Sequence, residues 1–252
     1  MSEPLLRVHK LNKRFGGVVA TDQLDLQVQP NEIHALIGPN GAGKTSLVAQ
    51  LAGQLASDSG QVYFSGEDIT GLVAHQRARR GLVRSFQITR LFGSFSVIGN
   101  VALAVQAAGA AGGWRFAAQM SETALFERAL EVLSRLMLAD KRDWAVDALS
   151  HGEQRALEVG LALAGRPRLL LLDEPMAGMG PEESVTMGEL IAGLRRDSSV
   201  LLIEHDVDAV FRLADRVSVL VNGRIIASGT PEQVRRDQLV IDAYLGEPVE
   251  PM

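Results

Sequence analysis

The stretch GPNGAGKT at 38–45 constrains this chain more than any other. It follows the apolar run EIHALI and precedes SLVAQLAG. Glycine is disfavoured in the interior of strands and helices alike, so a cluster of three marks a break with a purpose. The spacing fits G-x-x-x-x-G-K-[ST] in full: Gly38, four residues, Gly43, Lys44 and Thr45. The run before it reads as a short buried strand. The segment KTSLVAQLAG reads as a helix, with Leu47, Leu51 and Leu55 at i, i+4 and i+8. Glycines between the two let successive N–H groups turn inward and make a concave anion site, reinforced by the positive end of the helix. In such a loop Lys44 reaches β- and γ-phosphates, and the Thr45 hydroxyl is a ligand for Mg²⁺. Residues 38–46 (Gly38, Pro39, Asn40, Gly41, Ala42, Gly43, Lys44, Thr45, Ser46) form the expected cradle.

A second stretch supplies the carboxylates such a site needs. LLLLDEP at 169–175 is an apolar strand that ends in Asp173 and Glu174. A carboxylate at a strand tip beside a phosphate loop can hold Mg²⁺ through water. The next carboxylate can orient or deprotonate an attacking water.

The surrounding pattern alternates strands and helices. LLRVHKL at 5–11, LDLQV at 24–28, QVYFSG at 61–66 and SVLLIEHD at 199–206 read as strands. The last is a continuous apolar run like LLLLDEP, the mark of a strand covered on both faces. Between those two, PEESVTMGELIAGLRR places Pro181 in a first helical turn with Glu182 and Glu183 behind it. β–α–β alternation implies a parallel sheet. VSVLVNGRIIASG at 217–229 reads as a hairpin turning at Asn222–Gly223. TPEQVRR starts a helix capped by Thr230. Residues about 90–165 are richer in Ala, Leu, Glu and Arg, and read as a helical insertion.

Composition narrows the function classes. The chain of 252 residues has no cysteine, which excludes disulfides and cysteine-ligated zinc. A net charge of −5 is not that of a general nucleic-acid binder. The dense basic run RARRGLVR at 77–84 is expected on a solvated face. The most apolar segment, 97–114, is interrupted by Asn100, Gln106 and glycines, and no stretch reaches the ~18 residues of a membrane span. The opening MSEPLLRVHK has no signal-peptide core. A cytoplasmic chain is expected, with any membrane role acting through a partner.

With these motifs in view, LSHGEQR at 149–155 is similar to the LSGGQ signature of ABC transporter ATP-binding subunits. His151 replaces the first of its two glycines and Glu153 stands where Gln is usual, while Ser150 and Gly152 are kept. Phe15 in NKRFGG matches the aromatic that stacks on adenine. Gln87 in RSFQ matches the glutamine that links Mg²⁺ and water to the transport partner, and His205 the switch histidine at the next strand tip. Gly180 occupies the position where the family usually carries an aspartate. DEPxAGxxP, RFGGVVATD, RLFGSFSVIGNV and IDAYLG resemble the subgroup that imports branched-chain and other hydrophobic amino acids, with relatives for urea and amides.

The resemblance implies an α/β P-loop NTPase: a mixed, mainly parallel sheet core, an N-terminal antiparallel β subdomain and an inserted α-helical subdomain. The core takes 1–88 and 166–252, and the helical part about 89–165. It implies ATP and Mg²⁺ as ligands, with Thr45, Gln87 and Asp173 toward the metal. Glu174, His205, Gln87 and Lys44 are the implied catalytic group, and Ser150, Gly152 and Glu153 of a second ATPase subunit close the site over the γ-phosphate. It further implies permease subunits in the membrane, a periplasmic binding protein acting indirectly, no nucleic acid, and a peripheral position on the cytoplasmic side of the inner membrane. The other readings it leaves are a urea or amide importer, a lipopolysaccharide-type exporter and a soluble ATPase of translation or DNA repair.

Overall fold

The computed structural model describes residues 3–85, 91–110 and 122–245. Two sheets organise it. The first is antiparallel and contains β1 (Leu6–Phe15), β2 (Val18–Val28), β4 (Ser59–Phe64) and β5 (Glu67–Asp68), in the order β2-β1-β4-β5. The second has six strands: β3 (Ile33–Ile37), β6 (Leu82–Arg84), β7 (Leu169–Asp173), β8 (Ser199–Ile203), β9 (Arg216–Val221) and β10 (Arg224–Gly229). Their order is β10-β9-β3-β8-β7-β6, parallel throughout except for β10, which is antiparallel to β9. The expected mixed, mainly parallel core and the N-terminal antiparallel sheet are both present.

The leucine run is explained by its two faces. Leu169 and Leu171 pack with Leu201, Ile203 and α1 (Lys44–Leu51). Leu170 and Leu172 point the other way, into the cluster formed with Val200, Leu202, α5 (His151–Leu163) and α6 (Pro181–Leu194). Every residue of β3, β7 and β8 is buried. A strand with no solvent face has no reason to alternate, and each buried leucine contributes about 1.5–3 kcal/mol. Helices α3 (Val97–Ala110) and α4 (Glu122–Arg135) pack on the same cluster through Val101, Val105, Val132 and Leu133.

Two sequence expectations are corrected. The basic run at 77–84 is not uniformly solvated: Arg77, in α2 (Ala74–Arg79), is 3% exposed. Its guanidinium donates to the carbonyls of Leu72, Gln50, Leu51 and Thr70 at 2.8–2.9 Å. Five fixed donors suit it to satisfying the carbonyls that a helix end leaves bare. The helix expected over KTSLVAQLAG accordingly ends at Leu51, and Gly53 turns the chain at φ 72°. Arg84, at the other end of the run, also turns inward, as described below.

Candidate functional site

Parallel order puts the C-terminal ends of β3, β8 and β7 on one sheet edge, with Leu36 opposite Ile203 and Asp173 opposite Ile203. The loop after each strand therefore opens on the same crevice, the place where doubly wound sheets bind ligands. Residues 38–43 leave β3, Glu174 leaves β7, and Glu204 and His205 leave β8.

The glycine loop is fixed by more than its own turns. A Cβ on Gly43 would lie 2.0 Å from the Ala20 carbonyl oxygen, and one on Gly38 would lie 2.0 Å from the Leu220 carbonyl oxygen. Two of the three glycines are thus required by neighbouring backbone. The tip of the 217–229 hairpin braces the same loop: Gly223 N–H donates to Ala42 O at 2.9 Å, and Gly223 O accepts from Asp22 N–H at 2.9 Å. Asn222 and Gly223 both have positive φ, as their turn requires.

Lys44 is 8% exposed, and its ammonium donates to Gly38 O at 2.6 Å and Pro39 O at 3.0 Å. Burial holds it below the usual lysine value, opposed by the charges of Glu174 and Asp173. Thr45 is exposed at the start of α1, and Ser46 half-buried. Phe15 ends β1 with half its surface exposed, its ring 5.5 Å from the Lys13 ammonium.

Glu174 takes φ 49°, a left-handed backbone that costs a non-glycine residue about 1–3 kcal/mol and persists only where neighbours hold it. Here its N–H donates to Ile203 O at 2.9 Å and its carbonyl accepts from Arg155 Nη2 at 3.0 Å. The carboxylate lies 3.9 Å from His205 Nδ1, too far for a direct hydrogen bond and close enough for one intervening oxygen. His205 is 60% exposed, with Nδ1 also 3.8 Å from Glu204 Oε2.

Beneath this pair lies Glu204, 1% exposed. Its Oε1 accepts from Met176 N–H at 2.9 Å and its Oε2 from His205 N–H at 3.3 Å. One buried carboxylate thus ties the loop after Glu174 to the loop that carries His205. Burial raises its pKa, hydrogen bonds from Met176 and His205 oppose the rise, and the Glu174 charge adds to it. Sequence reasoning passed over Glu204 and Arg155. The signal for Glu204 was present, because LLIEHD ends in a carboxylate at a strand tip as LLLLDEP does. Nothing comparable marks Arg155, which reaches Glu174 only across the packing of α5 on the loop.

The signature residues form the N-terminus of α5. Ser150 is its N-cap: Oγ accepts from Glu153 N–H at 3.3 Å, and Ser150 N–H donates to Glu153 Oε2 at 3.0 Å. That reciprocal arrangement accounts for Glu153 in place of glutamine, since either residue closes a capping box. Lys141 holds the second carboxylate oxygen at 2.5 Å. Gly152 N–H donates to Glu183 Oε1 at 3.2 Å, and Glu183 Oε2 accepts from Gly180 N–H at 3.3 Å. Glu183 therefore spans from the signature to the glycine that replaces the usual aspartate. His151 lies against Gly178 in the loop beyond Glu174. Gln87 lies outside the described residues, as does the 88–89 boundary between the expected subdomains.

The donor set near Lys44 suits Mg²⁺, a hard cation that favours oxygen ligands: a hydroxyl from Thr45 and a carboxylate from Asp173. Among the described residues no group of three or more His, Cys, Asp or Glu could hold a metal unaided. Such a sparse set matches the way Mg²⁺ binds with a substrate's phosphates completing its shell.

Comparisons with known proteins agree with this geometry. The family model described as ABC transporter matches residues 21–177, and one described as branched-chain amino acid ATP-binding cassette transporter matches residues 224–250. The high-affinity branched-chain amino acid transport ATP-binding protein LivG of Escherichia coli is 39% identical, the alignment covering 98% of this chain and 100% of that one. The lipopolysaccharide export system ATP-binding protein LptB of Haemophilus influenzae is 34% identical over 96% of this chain and 98% of its own. A crystal structure of the ADP conformation of an ATP-binding cassette of an ABC transporter shares the fold with a TM-score of 0.86 at 29% identity, covering 98% of this chain and 100% of that one. No helix among the described residues is long and apolar enough to cross a membrane. Glycine loop, strand-tip carboxylates and signature helix thus converge with the comparisons, and the chain belongs to the ATP-binding cassette family of ABC transporters.

Proposed function

We propose that this chain is the ATP-hydrolysing subunit of an importer for branched-chain or other hydrophobic amino acids, seated on the cytoplasmic side of the membrane. The observation that carries the hydrolytic part is the convergence of Lys44, Glu174 and His205 on one sheet edge. Lys44 and the loop amides grip the triphosphate. Glu174 accepts the proton of the attacking water, and its strained backbone fixes where the carboxylate points. His205 sits one oxygen away from Glu174, placed to sense the γ-phosphate. Thr45, Gln87 and Asp173 would hold Mg²⁺, which would neutralise charge on the transferring phosphoryl group. Ser150, Gly152 and Glu153 serve the nucleotide held by a second ATPase subunit, of the same or a different sequence. Contacts made only in the closed pair let binding shift the open–closed equilibrium. Gln87 and residues 88–100 then pass that motion to permease subunits, which receive cargo from a periplasmic binding protein.

The cargo reading rests on LivG and on the match at 224–250. LptB makes an exporter the second reading, at lower identity. Phosphate release and nucleotide binding test the chemistry. Glu174→Gln should keep ATP affinity and lower turnover at least ~100-fold, within the range of a lost general base. An unchanged rate removes Glu174 from the role. Lys44→Ala should weaken ATP binding, and unaltered affinity counts against the cradle. Uptake by the intact complex in vesicles, across amino acids, urea and amides, tests the cargo; uptake of urea or amides alone overturns it.

A further inference from the structure

Arg84 is the member of the basic run that reaches the site. It ends β6, whose parallel pairing sets Arg84 beside Leu171, two residues before Asp173. Arg84 Nη2 donates to Asp173 Oδ2 at 2.6 Å, and Nη1 donates to Gln54 Oε1 at 2.5 Å. The pair is largely withdrawn from water, with side chains 11% and 4% exposed. Arg84 Nε is buried and meets no acceptor among the described residues, so two terminal nitrogens alone fix the guanidinium. Lys44 acts on Asp173 by charge alone, because its ammonium donates to Gly38 O and Pro39 O.

A carboxylate in a charge-assisted bond with arginine has committed charge and lone pairs that a hydrated divalent cation also needs. Two cations held against one desolvated carboxylate repel, and low local dielectric strengthens that repulsion. We propose that Arg84 and Mg²⁺ compete for Asp173. Arg84 is then a positioning residue that sets how strongly nucleotide binding depends on the metal. With Arg84 on Asp173, a triphosphate entering the loop meets a neutralised carboxylate. When Mg²⁺ enters with the nucleotide, Arg84 yields Oδ2 and keeps Gln54 as its acceptor. This rests on Asp173 serving the metal, as proposed above.

The test compares affinities of the purified chain for a non-hydrolysable ATP analogue in Mg²⁺ and in EDTA, read by calorimetry. In Arg84→Met, affinity in EDTA should fall and affinity in Mg²⁺ should rise. Their ratio should increase about ten-fold, a size one close charge readily supplies. Arg84→Lys keeps the charge without the fork and should raise the ratio less, by about three-fold. An unchanged ratio in both variants, or equal losses in both conditions, overturns the competition. Asp173→Asn separates the proposal from its foundation. If that variant flattens the metal dependence while Arg84→Met leaves it alone, only the competition falls. If Asp173→Asn changes nothing, the metal role of Asp173 falls and takes the competition with it.

Discussion

Gly43→Ala, set beside Gly41→Ala, asks what the glycines of the loop are for. Both positions have positive φ, 106° at Gly43 and 80° at Gly41. An alanine at either should lose about 1–2 kcal/mol to left-handed backbone strain. Their surroundings differ. A Cβ at Gly41 meets nothing within 4 Å, whereas at Gly43 it lies 2.0 Å from the Ala20 carbonyl oxygen, where ordinary contact starts at 3.4 Å. That oxygen is backbone and cannot swing aside as a side chain would. Forcing a methyl into packed structure adds about 1–3 kcal/mol. Gly43→Ala should therefore lose roughly 3.5 kcal/mol in all, and Gly41→Ala about 1.5. For a chain of this size the first is a fall in Tm of about 10 °C and the second about 4–5 °C. Thermal unfolding without nucleotide isolates this term from any effect on binding. Equal falls, or a larger one for Gly41→Ala, would refute the argument that backbone packing demands glycine at 43.

Two further perturbations test buried polar groups. The Glu204 carboxyl has a raised pKa in the fold, so its stabilising contribution is complete below the ordinary value of 4.5 and is lost as pH rises through the folded value. Urea midpoints measured from that pH to neutrality should show wild type losing ground to Glu204→Gln as pH rises; a constant gap rejects the raised value. Arg77→Leu strips donors from four carbonyls and should lose at least about 3 kcal/mol by chemical denaturation. A loss under about 0.5 kcal/mol, usual for exposed surface, would restore the solvated reading of the run.

The motifs were legible because each is local. Gly38 to Thr45 is one contiguous loop, and a single strand tip carries both Asp173 and Glu174. Asn222–Gly223 announced its hairpin because few residues accept two successive positive φ values. What misled was charge. RARRGLVR reads as solvated because arginines usually are, and only tertiary packing gives Arg77 four carbonyls and gives Arg84 the Asp173 carboxylate and Gln54 as acceptors. Glu153 looked like a departure from a pattern until the Ser150 capping box gave it a reason.

By itself the sequence placed a glycine loop, a carboxylate pair and a histidine after three apolar strand segments, since glycine spacing and strand-end residues are properties of short segments. Tertiary structure alone decided that those tips share an edge in the order β3-β8-β7. It also decided that Glu204 joins two of the loops, and that Arg84 rather than Lys44 meets Asp173. Periodicity and propensity act over a few residues, whereas a counter-ion is chosen by strand order and desolvation, which exist only once distant segments have packed.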